Sequence, residues 1–369
     1  MAGFALRVER QQPKRVVVFC LSGLGDAILA SPALASLAGA RDRFHLTLVT
    51  MFPATTDYLR AQGFTDDVRY IPFLGMSKLG IFLIARAFRR EKFDVSVLPY
   101  AMNRLGYNLL NYVVGARQRI GFRYQRQRLR NVPQLNNVVI EENTKLHAVE
   151  ENLRWAALLL GANPTDDALR YTIPQEAEKS ATEFLPPSPG TWIGIHAGCN
   201  VLKNQQKRLW PAVKFAELIR RLVTARPDAR FLLFQGPQDV EINNAILAGL
   251  GALRDRVVVV EGQTLPVVAA LLRRCRLFLS NDSGLMHTAA ACRAPCVAIF
   301  GPTNPTWVHP WKTPYRIVSR RLPCSPCFYY STRPLTCVAH LDYACVRDLP
   351  VDDVETAVLD LLRNPQVSP

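Results

Sequence analysis

Residues 277–303 carry the pattern that most constrains how this chain can fold. An apolar run at 277–279 is typical of a buried strand, and a tight turn at 281–284 follows it. A helix pattern of small residues comes next, and a second apolar run at 296–300 ends in a Gly-Pro-Thr turn. Strand, turn, helix and strand in this order predict a parallel α/β sheet, in which ligands bind at the carboxyl ends of the strands.

The turn after the first of these strands has the composition of an anion site. Gly284 lets a ligand approach the backbone closely, and the N–H groups at the start of the following helix attract an anion. Ser283 adds a hydroxyl, and His287 adds a titratable ring one turn later. Asp282 is expected to orient amide groups of the loop rather than to meet a phosphate. An Asn-Asp-Ser N-cap on an ordinary helix explains the same residues equally well.

The same alternation extends over the whole chain. In the first half, strands are predicted at 16–20, 46–50, 68–72, 93–98 and 119–122, with helices between them. A second series begins at residue 192, after a proline-rich stretch at 172–190. We therefore predict an α/β protein with a parallel sheet and helices on both faces in each half. The predicted domains are 1–172 and 191–369, joined by a linker at 173–190.

Composition narrows the class of protein. The chain has 369 residues, of which 49% are hydrophobic and 20% are charged, as expected for a globular protein of two domains. An excess of 45 basic over 30 acidic residues gives a net charge of +15. This charge favours an anionic partner such as an acidic membrane, a phosphorylated substrate or nucleic acid. No apolar run approaches the ~18 residues of a membrane span and no signal-peptide pattern is present, so a cytosolic location near a membrane surface is expected.

A glycine-rich turn follows the first predicted strand. Gly23 and Gly25 resemble part of a dinucleotide fingerprint, but Ile28 stands where a third glycine belongs. Asp26 also lies at the predicted helix start, where its charge would repel a pyrophosphate. Two interpretations stay open. Either the glycines expose Asp26 to a cleft as a general base, or Asp26 only complements the helix dipole, which is worth ~0.3–1 kcal/mol.

Two basic segments lie in the first half. The apolar helix predicted from residue 79 ends in four basic residues, and residues 117–130 hold six arginines beside Phe122 and Tyr124. We predict that the second segment, with the first helix beside it, faces an acidic glycolipid or a membrane. A solvated surface explains such runs as well, and no nucleic-acid-binding motif accompanies them. The six arginines are Arg117, Arg119, Arg123, Arg126, Arg128 and Arg130.

Four cysteines lie close together in the last fifty residues. Cys324 and Cys327 have the Cys-x-x-Cys spacing of zinc ligands, while Cys337 and Cys345 follow at a wider spacing than in common zinc ribbons. Zinc binding is therefore one hypothesis, and buried free thiols or a redox-dependent disulfide are the alternatives.

Four segments resemble, in order, the motifs of glycosyltransferase family nine, the lipopolysaccharide heptosyltransferases. They are Ser-Gly-Leu-Gly-Asp at 22–26 before Ser-Pro-Ala-Leu at 31–34, His-Ala-Gly at 196–198, Lys-Arg-Leu-Trp-Pro at 207–211, and residues 281–287 with Phe-Gly-Pro-Thr at 300–303. The resemblance implies a GT-B fold, in which two Rossmann-like, doubly wound parallel-sheet domains face a central cleft. It also implies inverting transfer of a heptose from ADP-heptose to a sugar of the lipopolysaccharide core.

The resemblance also implies which partners the protein has and where it is located. The acceptor is an acidic glycolipid, nucleic acid is not a partner, and the enzyme is peripheral at the cytosolic face of the inner membrane. The sequence contains no Asp-x-Asp pair of the kind that metal-dependent transferases use, so no metal cofactor is expected for catalysis. Alternatives are a related transferase with another donor or acceptor, a GT-B nucleotide-sugar epimerase, and a nucleic-acid-binding module.

The motifs also assign roles to individual residues. Lys207 or Arg208 is expected to hold the donor diphosphate, and Asp239 or Glu241 the ribose. Asp26, from the other domain, is the expected general base for the acceptor hydroxyl. The remaining donor-side residues are Gly198, Asp282, Ser283, Gly284 and His287. The remaining acceptor-side residues are Gly23, Gly25 and Arg123.

Overall fold

Two parallel six-stranded sheets form the framework of the protein. The computed structural model describes residues 12–126, 131–185, 190–199, 202–329 and 334–365. The strands of the first sheet are β1 (Lys14–Cys20), β2 (Phe44–Thr50), β3 (Val68–Tyr70), β4 (Val95–Val97), β5 (Gln118–Arg123) and β6 (Val138–Glu141). Those of the second are β7 (Thr191–His196), β8 (Ala229–Phe234), β9 (Val257–Val260), β10 (Leu277–Asn281), β11 (Cys296–Ile299) and β12 (Tyr315–Val318).

Both sheets have the doubly wound strand order. The first runs β3-β2-β1-β4-β5-β6 and the second, read from the far side, β9-β8-β7-β10-β11-β12. Every strand pair is parallel. This order reverses direction beside β1 in the first sheet and beside β7 in the second, and such reversal points open a crevice at the carboxyl ends of the strands. The predicted α/β fold with two Rossmann-like sheets is confirmed.

Helices cover both faces of each sheet, as the apolar strands require. In the first half they are α1 (Leu24–Ala38), α2 (Pro53–Gln62), α3 (Lys78–Arg90), α4 (Leu105–Val114) and α5 (Ala148–Leu160). The remainder are α6 (Gln175–Phe184), α7 (Ala212–Ala225), α8 (Val240–Ala248), α9 (Leu265–Arg274), α10 (Gly284–Ala291), α11 (Pro305–Val308), α12 (Ala344–Arg347) and α13 (Val351–Arg363). Separate buried clusters pack on the two faces of each sheet.

The stretch predicted as a linker contains a helix. Helix α6 buries Ala177 and Ala181 against the core of the second sheet and packs on α9. Glu178 of α6 also forms an ion pair with Arg274 at 2.7 Å. Pro186, Pro187 and Pro189, which suggested the boundary, lie outside the described residues. The exact domain limits therefore stay a prediction, although the strands of the two sheets fall within 14–141 and 191–318.

The two halves contact each other beside the cleft. The Trp307 indole N–H donates to the carbonyl of Thr144 at 2.9 Å, and the Trp311 ring stacks on His147 with ring centres 4.4 Å apart. These contacts join residues 307–311 of the second half to residues 144–147 of the first. Helix α13 packs on α7 and on β10, β11 and β12 of the second sheet.

Candidate active site

A cavity of about 460 Å³ lies between the carboxyl edges of the two sheets. The turn after β1 forms one wall, and the turn after β10 with the segment before α7 forms the other. Most of the predicted site residues therefore come together from opposite halves of the chain. Those that line the cavity are Gly23, Gly25 and Asp26 from the first half, and Arg208, Asp282, Ser283, Gly284 and His287 from the second.

Two helix starts meet at this cavity. A Cβ atom placed on Gly25 of α1 would lie 3.2 Å from the Gly284 Cα and 2.8 Å from the Cδ2 of His287. No larger residue fits at Gly25 without movement of the opposite wall. Gly23 and Ser283 are the N-cap residues of α1 and α10, and both line the cavity. Neither provides a capping side-chain bond to its helix. The positive ends of two helix dipoles therefore favour an anion here.

Asp26 is the third residue of α1 and lies partly exposed in the cavity wall. Burial raises the pKa of its carboxyl group to about 6, while a hydrogen bond from Ser22 and the charge of Arg208 lower it and the charge of Asp282 raises it. Asp26 is thus ionised at neutral pH and is a stronger proton acceptor than an ordinary carboxylate. This is the environment that a general base needs.

Arg208 and Asp282 form an ion pair inside the cavity wall. The Arg208 Nη1 lies 2.8 Å from the Asp282 Oδ2, and each side chain is only 10% exposed. The same Nη1 lies 3.3 Å from the Thr303 hydroxyl. Asp282 was expected to orient loop amides, and the structure instead shows it fixing a guanidinium group. Lys207, the other predicted diphosphate ligand, is exposed and does not line the cavity.

A buried chain of polar groups connects Ser283 to the turn after β8. The ring of His196 lies between the Ser283 Oγ, 3.1 Å from Nδ1, and the Asp239 Oδ2, 3.2 Å from Nε2. The same Asp239 oxygen accepts the Gly236 N–H at 2.8 Å. The sequence places His196 in the His-Ala-Gly motif at 196–198, but no role in the site was predicted for its ring.

The position of Asp239 separates the two acids considered for the ribose. Asp239 is buried and already bonded, and a Cβ atom on Gly198 would lie only 1.8 Å from its Oδ1. Gly198 thus makes room for Asp239 in addition to lying on the donor-side loop. Glu241 is exposed in the first turn of α8, at the carboxyl edge of the second sheet. Of the two acids, Glu241 is the one with an exposed carboxylate.

His287 lies in the cavity wall and packs against Gly25. Burial lowers the pKa of its imidazole to about 4, and the charge of Asp282 only partly opposes this, so the ring is neutral at physiological pH. Its Nδ1 is buried and has no hydrogen-bond partner among the described residues. A buried ring nitrogen without a partner is costly to the fold.

Arg123 is not among the residues that the structure brings to the cavity, and its acceptor-side role stays a prediction. Arg123 forms an ion pair with Glu141 on the neighbouring strand β6 and does not line the cavity. Arg128 and Arg130 of the same basic segment lie outside the described residues. The cation that does line this side is Arg104, whose guanidinium lies 5.3 Å from the centre of the Tyr107 ring. A single arginine before a helix carried no signal of this role in the sequence.

The four clustered cysteines surround a separate small cavity of about 10 Å³. Burial raises the pKa of Cys345 to about 11, whereas in Cys337, despite burial, hydrogen bonds from backbone N–H groups of the 339–343 segment lower the pKa. All four are free thiols. Within the part of the chain that the structure describes, no group of three or more His, Cys, Asp or Glu is arranged to hold a metal ion. Zinc binding by Cys324, Cys327, Cys337 and Cys345 thus stays a prediction without a ligand set.

Two doubly wound sheets that face a common cleft form the GT-B fold, which glycosyltransferases share with some nucleotide-sugar epimerases. A sequence model described as glycosyltransferase family 9 (heptosyltransferase) matches residues 81–337, more than half of the chain. The chain therefore belongs to glycosyltransferase family 9.

Individual relatives agree with this assignment. Lipopolysaccharide heptosyltransferase 2 of Escherichia coli is 34% identical over 148 residues, which span 39% of this chain but only 41% of that protein. Lipooligosaccharide heptosyltransferase 2 of Campylobacter jejuni is 22% identical over 356 residues, or 95% of this chain and 99% of the relative. The solved structure of E. coli ADP-heptose lps heptosyltransferase II superposes with a TM-score of 0.71 at 19% identity, covering 96% of this chain and 100% of that one. At this identity the superposition shows the fold.

Proposed function

We propose that this protein transfers a heptose from ADP-heptose to a sugar of the lipopolysaccharide core, with inversion at the anomeric carbon. The observation that carries the proposal is the meeting of Asp26 from one half with the Arg208–Asp282 pair and the start of α10 from the other, in one cavity. A carboxylate with a raised pKa opposite an anion-attracting wall suits a sugar transfer in which a diphosphate leaves. Membership of the family, and the names of the relatives, support heptose and ADP-heptose.

On the donor side, the leaving diphosphate requires positive charge. Arg208 supplies a guanidinium that Asp282 holds in place, and the start of α10 supplies backbone N–H groups. His287 lines the cavity as a neutral imidazole, and we propose that it donates a hydrogen bond to a phosphate oxygen. Glu241, which is exposed in the first turn of α8 but does not line the cavity, is the proposed acceptor of hydrogen bonds from the ribose hydroxyls. These groups stabilise the leaving charge without a metal ion, so we propose metal-independent catalysis.

On the acceptor side, Asp26 acts as the general base. The acceptor hydroxyl oxygen forms a bond to the anomeric carbon while the bond from that carbon to the diphosphate oxygen breaks. The bond electrons leave with ADP, and the hydroxyl proton passes to Asp26 and then to solvent. A single displacement of this kind inverts the anomeric centre, because attack comes from the face opposite the leaving group.

The acceptor is proposed to be an acidic glycolipid at the cytosolic face of the inner membrane. Arg104 and the wider basic surface of the first half support an anionic acceptor. Among the described residues, no helix has the length and apolar character needed to cross a membrane. We propose peripheral attachment to the membrane because the proposed acceptor is lipid-borne, and no nucleic acid partner is proposed.

The direct test is turnover of ADP-heptose with and without a heptose-deficient lipopolysaccharide acceptor. We expect ADP release and a glycolipid heavier by one heptose only when both substrates are present, with EDTA having no effect. GDP- and UDP-sugars serve as donor controls, and Asp26→Asn serves as the matched inactive protein. Equal conversion of the donor without acceptor would instead identify a nucleotide-sugar epimerase, and loss of activity with EDTA would contradict metal independence.

A further inference from the structure

Helices α3 and α4 leave apolar side chains facing solvent. On α3, Leu79, Phe82 and Leu83 share one side of the helix and are 66%, 47% and 55% exposed. On α4, Leu105 and Leu109 share one side with Tyr112 and are 40% and 45% exposed. We refer to these residues, Leu79, Phe82, Leu83, Leu105, Leu109 and Tyr112, as the α3–α4 face. Isolated exposed leucines are ordinary, but a contiguous group marks an interaction site.

The two helices present this face in the same direction. Their opposite sides pack in one buried cluster on the first sheet, with Ala85 and Phe88 from α3 and Leu110 and Val114 from α4. The helices also pack against each other. Since both inner sides are directed to one core, both outer sides are directed away from it. The exposed side chains thus form a single surface.

This surface carries positive charge without neighbouring acids to neutralise it. The side of α3 that holds Leu79 and Leu83 continues, at helical spacing, to the exposed residues Arg86 and Arg90. Residues 71–117 contain only two acids, and both have partners elsewhere. Glu91 pairs with Arg69, and Asp94 accepts the backbone N–H of Arg15. The seven basic residues of the stretch are Lys78, Arg86, Arg89, Arg90, Lys92, Arg104 and Arg117.

The surface also adjoins the opening of the active-site cavity. Leu74, which is 62% exposed just before α3, lines that cavity. Arg104 and Tyr107, at the start of α4, line it too. A molecule lying on the α3–α4 face would therefore reach the same cleft that Asp26 faces.

From these observations we infer that the α3–α4 face docks the protein on an anionic lipid bilayer. The apolar side chains would enter the headgroup region while Arg86 and Arg90 meet lipid phosphates, which is how amphipathic basic helices bind membranes. The inference rests on the proposed function in one respect, since a lipid-borne acceptor explains why the face adjoins the cleft. A second copy of the chain fits less well, because a symmetric contact would bring Arg86 and Arg90 of both copies together without acids between them.

The test is co-sedimentation of the full chain with vesicles of phosphatidylcholine alone or with added phosphatidylglycerol. We expect strong binding only to the anionic vesicles, with binding weakened by salt. The variants Leu79→Ser/Phe82→Ser/Leu83→Ser and Arg86→Glu/Arg90→Glu should each weaken that binding at least tenfold. Val213→Ser, at a 66% exposed apolar position on α7, and Arg254→Glu, at an exposed basic position, are matched controls and should bind normally.

Two further measurements separate the alternatives. On a water-soluble oligosaccharide acceptor the α3 variants should keep wild-type turnover, whereas on vesicle-embedded acceptor they should lose it. Indifference of the wild type to anionic lipid, equal loss in the Val213 and Arg254 controls, or a dimer that the α3 substitutions dissociate would each overturn the docking proposal. A wild type that binds anionic vesicles through this face but transfers no sugar would support docking and overturn the proposed reaction instead.

Discussion

Gly25 of α1 and Gly284 of α10 lie against each other across the cleft. A Cβ atom on Gly284 would stand 3.4 Å from the backbone nitrogen of Gly25, which is van der Waals contact, so the gap between the two helix starts is about one methyl group wide. The pair joins the half that carries Asp26 to the half that carries the Arg208–Asp282 ion pair, at the point where both helices start beside the cavity.

Substitutions at this contact should disrupt the site. Gly25→Val would force the helix starts apart, because its Cβ atom would overlap the His287 ring. At Gly284 a Cβ atom already reaches contact distance from Gly25, so we expect the two further methyl groups of Gly284→Val to exceed the room in the gap. We expect overpacking to cost about 1–3 kcal/mol of unfolding free energy and ADP binding to be lost. Thermal unfolding and calorimetry with ADP measure both. Gly106→Ala, where no atom lies within 4 Å of the new Cβ, is the control. Normal ADP affinity in a folded Gly284→Val protein would contradict the proposed diphosphate site.

Replacing the proposed base should remove turnover while leaving the donor bound. Asp26→Asn keeps the size and polarity of the side chain but cannot take up a proton, so kcat should fall roughly 10²–10⁴-fold with little change in ADP affinity. In the wild type, kcat should rise with pH through about 6, because the carboxylate form is the active one. Near-normal turnover of folded Asp26→Asn at saturating substrates would remove the base assignment.

The same substitution should stabilise the fold at neutral pH. The folded-state pKa of Asp26 is about 6, above the ordinary value of 3.8, so the folded protein binds more protons there than the unfolded chain. The free energy of unfolding therefore falls as pH rises through roughly 4 to 6. Asp26→Asn removes this pH-dependent decrease. Its free energy of unfolding should exceed that of the wild type by roughly 1–3 kcal/mol at pH 7.5, with no difference at pH 4. Destabilisation at pH 7.5, measured by denaturant unfolding, would show that Asp26 serves the helix dipole instead.

Substitutions of the neighbouring residues Lys207 and Arg208 should differ sharply in their effect on ADP binding. Arg208→Ala removes a cavity guanidinium and leaves Asp282 buried without its partner, so we expect at least tenfold weaker ADP binding and a loss of about 3–5 kcal/mol in stability. Arg208→Lys keeps the charge but not the planar fork and should be intermediate. Lys207→Ala, at an exposed position, should remain within twofold of wild type in calorimetry with ADP. A larger effect at Lys207 than at Arg208 would reverse the assignment.

Substitutions of the two acids near the start of α8 should have different effects, one on ADP binding and the other on the stability of the fold. Glu241→Ala removes an exposed carboxylate and should weaken ADP binding several-fold without lowering the melting temperature. Asp239→Asn should instead lower stability by about 1–3 kcal/mol, because it weakens the buried bonds of Asp239 to His196 and to the Gly236 N–H. Unchanged ADP affinity in Glu241→Ala would leave the ribose without its proposed partner.

Most of the fold can be predicted from the sequence, because buried parallel strands appear in it as continuous apolar runs. Every strand predicted in the first half is present within a few residues. The elements that were missed are the ones with weak patterns. Strand β6 has four residues, of which only one is buried, and α6 is largely polar and buries only two alanines. Neither has enough apolar periodicity to be recognised without its tertiary neighbours.

The sequence by itself determined the two α/β halves, the glycine turns at the ends of β1 and β10, and the family to which they belong. Only the tertiary structure decided which side chains share the cleft. Arg208 meets Asp282 across 74 positions of chain, while its neighbour Lys207 faces solvent. Arg123 pairs along the sheet with Glu141, and Arg104 takes its place in the cavity wall. Local sequence specifies backbone geometry, but contacts between distant segments depend on how the packed elements direct each side chain.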